Sequence, residues 1–81
     1  MKPYRVFWTD AEDFKETWAS KDEVDDFSKS ICLVESIGFI IKKTDKYITL
    51  VRDIIKDEKG GDTYGGVTKI PRKMVKKIEL I

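Results

Sequence analysis

Two glycine pairs, Gly60-Gly61 and Gly65-Gly66, stand ahead of a basic tail, KIPRKMVKKIELI. Glycines followed at once by Lys and Ser or Thr, opening a helix, would cradle phosphate on backbone N–H groups. Here Asp62 and Val67 follow the two pairs. The phosphate-loop pattern fails, and the glycines read as turn residues. Other chemistry-bearing residues are few. The chain has no histidine, which removes the commonest general base and metal ligand. Its one cysteine, Cys32, lies in the apolar run ICLV and reads as a small buried hydrophobe. Paired carboxylates occur at Asp22-Glu23 and Asp25-Asp26, but no nucleophile–base–orienter set accompanies them. The expectation is a protein without catalytic residues, metal ligands or cofactor.

The residues that remain are suited to binding. Lys69, Arg72, Lys73, Lys76 and Lys77 crowd the end of the chain, and Lys42, Lys43 and Lys46 crowd a polar turn. Arg72 and Lys73 directly follow Pro71, whose fixed φ makes a rigid turn. Arg meets phosphate with two parallel donors, whereas Lys offers a point charge. Tyr47 and Tyr64 offer stacking surfaces for a base. Together Arg72, Lys73, Lys69, Tyr64 and Tyr47 are the candidate ligand site for a nucleotide or nucleic-acid phosphate. The competing reading is that these lysines only solubilise strand edges, a common device. Trp8 and Trp18 are candidate anchors for a protein partner, since Trp is enriched at interface hot spots. In so short a chain both can equally be core.

Charge is distributed unevenly. The 81 residues carry 16 basic and 15 acidic groups, a net of +1. Residues 1–30 hold five basic and eight acidic groups, 5 − 8 = −3; residues 31–81 hold eleven and seven, 11 − 7 = +4. The length fits one domain, residues 1–81, with a small core. No apolar run approaches the roughly 18 residues of a membrane span. The start, MKPYRVFWTD, has no apolar segment of signal-peptide type. A cytoplasmic location without membrane contact is the expectation.

The elements that must position these residues are mostly strands. KPYRVFWTD alternates at period two. DAEDFKET breaks the alternation and reads as an irregular acidic loop. Ser20 and Glu23 form an S-x-x-E capping box, with Val24, Phe27 and Ile31 following at helical spacing, so a short helix is predicted near 21–29. ICLVESIGFIIKK reads as a long strand whose Gly38 marks a bend or a close approach of another segment. KKTDK is a hairpin turn. YITLVRDII and TYGGVTKI read as one strand each. IPRKM is predicted to make a single turn and VKKIEL a last strand. Five strands and one helix give a small barrel.

The stretch VESIGFIIKKTDKYITL followed by YGGVTKIPRKMVKKI resembles a group of small uncharacterised proteins encoded by bacteriophages and prophages. Those proteins share a Trp-containing start, a D-x-Y-I-x-L strand and an ending close to I-P-K-x-M-I-K-x-I. The likeness covers most of the chain and is tightest from Val34 to Ile78. The arrangement also resembles an SH3-like or Sm-like five-stranded barrel, although the Sm RNA-binding residues have no counterpart here. The resemblance implies a phage-encoded, non-enzymatic binder in the host bacterial cytoplasm. Its expected role is to counteract a host factor or defence system by binding a nucleotide signal or nucleic acid. The alternative is direct inhibition of a host protein. A homo-oligomer is expected as well, because small barrels leave strand edges open and the apolar tail IELI has little core left to fill.

Overall fold

The computed structural model describes all residues, Met1 to Ile81. Seven strands form, β1 (Pro3–Asp10), β2 (Cys32–Lys43), β3 (Tyr47–Val51), β4 (Asp53–Ile55), β5 (Thr63–Gly65), β6 (Thr68–Pro71) and β7 (Val75–Leu80). One helix, α1, spans Lys21–Ser28, and a 3-10 turn spans Arg72–Met74. Five strands make one antiparallel sheet in the order β6-β3-β2-β1-β7; β4 and β5 pair separately. The sheet is open, since β6 and β7 are its two edges and do not pair with each other.

β2 is the organising strand. Its first part, Cys32–Phe39, pairs with β1, and its second, Phe39–Lys43, pairs with β3. A register shift between Ile40 and Lys42 turns the strand between these two duties, as a bulge does by adding local twist. Gly38 lies just ahead of it, and its role is space. A Cβ there would meet the Val51 carbonyl oxygen at 2.4 Å. The bend therefore comes from the bulge, and the glycine admits the β3 backbone.

The curl brings distant strands together. Val6 of β1, Leu50 of β3 and Ile70 of β6 form the buried cluster, packed by Trp8, Ile40, Val75 and Ile78. Ile48 and Val51 are also buried. All five strands of the sheet thus contribute to one small core. That core is slight, with only six of 81 residues buried. The sequence segments YITLVRDII and TYGGVTKI are each divided rather than continuous. Arg52 bends the chain between β3 and β4, and Gly66, at φ 64°, does so between β5 and β6. The left-handed φ at Gly66 is one that L side chains rarely adopt. The β4–β5 ribbon therefore departs from the sheet, tied at its base by Arg52 N–H to the Gly65 carbonyl at 3.1 Å.

The helix forms where the capping box places it. Ser20 Oγ accepts from Glu23 N–H at 3.2 Å, and Glu23 Oε1 accepts from Ser20 N–H at 3.1 Å. No residue of α1 is buried. Its Phe27 packs against Phe14 of the preceding loop, edge to face at 5.4 Å. Residues 11–31 form an arm beside the sheet rather than a layer on it. Ser20→Ala is expected to cost about 1 kcal/mol of helix stability. The loss should appear as faster amide exchange in 21–28, with the sheet's melting temperature unchanged. A fall in sheet stability of equal size would show that the arm supports the core.

Candidate functional site

The basic residues meet at one end of the sheet. Thr44 builds the β2–β3 turn: its Oγ1 accepts from the N–H groups of Lys46 and Tyr47, and its own N–H donates to the Tyr47 carbonyl at 2.8 Å. β6 runs alongside, with Pro71 opposite Tyr47 and Lys69 opposite Thr49. Pro71, at φ −59° and ψ 136°, ends the strand and delivers Arg72 into the 3-10 turn. Arg72 N–H then donates to the Lys46 carbonyl at 2.8 Å, stapling the two turns together.

The result is a depression of about 390 Å³ lined by Asp45, Lys46, Tyr47, Pro71, Arg72 and Lys73. Lys69 reaches across the neighbouring strand, its Nζ 4.8 Å from the Tyr47 ring centroid. Four of the five predicted ligand residues, Arg72, Lys73, Lys69 and Tyr47, are therefore brought together. Tyr64 is not. It lies on β5, opposite Ile54 in the separate ribbon, with Gly66 turning the chain between it and Lys69. Lys46 joins the site through the Thr44 turn; its place in the KKTDK hairpin, next to Tyr47, was the signal for it.

The electrostatics of this end are one-sided. Lys42, Lys43, Lys46, Lys69, Arg72, Lys73 and Lys76 form no ion pair, whereas Arg5, Lys21, Lys29, Arg52, Lys56 and Lys77 all do. Arg72 stands out further. Its Nη1 is shielded from solvent and has no hydrogen-bond acceptor. An unsatisfied charged donor is costly, on the order of 1–3 kcal/mol or more. Arg5 Nε is the contrasting case: it too lacks a well-aligned hydrogen bond, but a Glu35 carboxylate oxygen lies 2.8 Å away. Lys69 and Lys73 are exposed and suit either role, solubilising an edge or holding an anion. Arg72 is half-buried, and its Nη1 adds a donor without an acceptor to the same end.

The two tryptophans part company. Trp8 packs on the core and donates Nε1–H to Ser36 Oγ at 3.0 Å. Trp18 is 88% exposed in the arm. Cys32 is partly exposed and free. No cluster of three or more Cys, Asp or Glu side chains converges, and no helix is long and apolar enough to cross a membrane.

On the sheet's other face an ion-pair ladder runs across β2, β1 and β7, with Arg5 between Glu35 and Glu79 and Lys77 at 2.6 Å from Glu79. The Lys77 hydrogen bond, helped by the charges of Lys77 and Arg5, holds the Glu79 carboxyl below its usual range against a smaller opposing effect of desolvation. A lowered folded value means that the contribution is present above the unfolded pKa and lost as pH falls through the folded one. Lys77→Ala should raise the Glu79 midpoint in a carboxyl-detected NMR titration. An unmoved midpoint would contradict the Lys77 assignment. A scan against protein-family models, a search of curated proteins and a search of solved structures each return no match, so the site is read from its own geometry.

Proposed function

We propose that this chain is a non-catalytic binding module whose basic end takes a phosphate-bearing ligand, a nucleotide or a nucleic-acid strand. The observation that carries this reading is Arg72, half-buried on a turn rigidified by Pro71 and stapled to Lys46, whose Nη1 has no acceptor and would gain one by swinging out to a phosphate oxygen. Lys73, Lys46 and Lys69 surround it without acidic partners other than the nearby Asp45. Tyr47 supplies a ring face, which Lys69 covers in the free protein and a base would take over by stacking.

The proposed architecture is a small barrel of the SH3-like or Sm-like kind. The strand order β6-β3-β2-β1-β7, the bent β2 and the 3-10 turn between the last two strands support it. The proposed setting is a bacteriophage protein acting in the host cytoplasm by sequestering a nucleotide signal of a defence system or by covering nucleic acid. Sequestration needs affinity and no turnover, which suits a site with donors and a ring but no acid–base pair. The second reading, a module that disables a host protein by direct contact, is favoured by the exposure of Trp18.

The test is calorimetric titration with cyclic dinucleotides, ADP-ribose derivatives and short single-stranded oligonucleotides at two salt concentrations. Binding of one class, weakening as salt rises because phosphate contacts release counterions, is the expected result. Failure of all three classes would overturn the ligand reading.

A further inference from the structure

The free chain has more surface than a molecule of its mass should. Its accessible area is 6690 Å² at 9.4 kDa, where a compact monomer of that mass exposes about 5,000 Å². The radius of gyration is 16.9 Å, against about 12 Å for a globular chain of this length. The excess, about 1,700 Å² per chain, amounts to about 3,400 Å² for two chains, within the range of obligate dimers.

Ile55, Val67, Leu80 and Ile81 are exposed elsewhere, but two parts of the uncovered apolar surface match each other. One is the arm, where Trp18 is 88% exposed. The other is a groove of about 540 Å³ on the outer face of β1 and β2, lined mainly by apolar surface and formed by Phe7, Leu33, Val34, Glu35, Lys76 and Lys77. Leu33 is 73% exposed at its wall. The charges around the two parts are opposite. Lys15 and Lys21 lie close to Trp18, but the arm as a whole, residues 11–31, holds three basic and seven acidic groups, 3 − 7 = −4. The groove has one acid, Glu35, against Lys76, which is unpaired, and Lys77, which is held only by Glu79. A large aromatic on an acidic arm and an apolar groove edged by lysines form a hydrophobic centre with a polar rim.

We propose that the occupant of this groove is the Trp18 arm of a second copy of this chain, exchanged reciprocally in a two-fold dimer. Each chain then buries both its arm and its groove, which accounts for an excess as large as two contact patches. The two-fold arrangement closes, leaving no free arm to recruit further copies. The groove and the Arg72 end are neighbours: Lys76 and Lys77 line the groove and also, with Arg72, an adjoining depression, so the dimer seam borders the ligand end.

Sedimentation velocity across micromolar concentrations tests the exchange with the native chain, Trp18→Ala and Leu33→Lys, each first checked for native circular dichroism. Native protein is expected to sediment as a dimer. Each variant should raise the dimer dissociation constant at least 30-fold, the size of an interface hot spot. Mixing the two variants supplies the discriminating result. The Leu33→Lys chain keeps its arm and the Trp18→Ala chain keeps its groove, so a mixed dimer should form at concentrations where neither variant dimerises alone. Three outcomes overturn the proposal: a native monomer at tens of micromolar, in which the arm either stays free or folds on its own groove; an assembly indifferent to both substitutions; or variants that fail to complement.

Discussion

Replacing Arg72 and Lys73 together by alanine is expected to abolish measurable binding of a phosphate ligand while leaving the fold intact. Hydrogen bonds to charged groups contribute about 1.5–3 kcal/mol each. Each 1.4 kcal/mol is tenfold in affinity, so Arg72→Ala alone should weaken binding about ten- to a hundredfold. Lys73 adds a more exposed charge and a smaller loss. Arg72→Lys separates charge from shape. It keeps the cation but loses the planar fork, and should recover only part of the affinity. The slope of log affinity against log salt should fall by about 0.7 for each single-strand phosphate contact removed. Neither side chain contributes to the buried cluster of Val6, Leu50 and Ile70, so the melting temperature should hold. It can even rise for Arg72→Ala, because the variant removes a shielded donor that lacks an acceptor. Titration of the native protein and the three variants with one ligand at two salt concentrations checks all of this. Equal affinity for native and double-variant protein would move the site elsewhere.

Gly38→Ala should be the most damaging single methyl in the chain. Its Cβ would fall 2.4 Å from the Val51 carbonyl oxygen and 3.1 Å from the Val51 carbonyl carbon. Both atoms are backbone at the junction of β2 and β3, so no rotamer change relieves the clash. Either the strands separate or the register slips. Overpacking a well-packed site costs about 1–3 kcal/mol, and a clash with strand backbone belongs at the upper end. For a domain of this size total stability is about 4–12 kcal/mol. A loss of about 3 kcal/mol therefore lowers the melting temperature by about 15 °C, at 4–8 °C per kcal/mol. Gly65→Ala is the control. There the nearest atom, Asp53 Cβ, is 3.6 Å away and the backbone φ is ordinary. Its effect should stay within about 1 kcal/mol. Thermal unfolding of the two variants decides the matter, and similar midpoints would refute the crowding argument.

Several features were legible in the residue order because their causes are local. The capping box needs only Ser20 and Glu23 three positions apart, and the helix begins there. Period-two patterning from Pro3 to Asp10 requires only that one side of a strand face a core. Pro71 cannot continue a ladder on its N–H side, so the single turn and final strand followed from its ring. Gly38 announced a close approach, since a glycine inside an apolar strand has few other reasons to stand there. Arg72, Lys73 and Lys69 belonged together because the two intervening residues, Ile70 and Pro71, cannot carry them far apart.

Other features depend on contacts between distant segments. The breaks at Arg52 and Gly66 divide strands that read as continuous, and they coincide because Asp53 pairs with Gly65, which sets Arg52 against Gly66 at the base of the ribbon. That pairing sends Tyr64 away from the basic end, though only four residues separate it from Lys69. Tyr47 and Lys46 join Arg72 through a backbone hydrogen bond spanning 26 positions. The fates of Trp8 and Trp18 were likewise set by what each meets: Trp8 lies opposite Val34 in the sheet and bonds Ser36, while Trp18 lies on an arm that no strand covers. Period and composition report which side chains seek burial, but not whether the rest of one small chain has surface enough to bury them. Here it does not, and only the tertiary structure reveals the deficit.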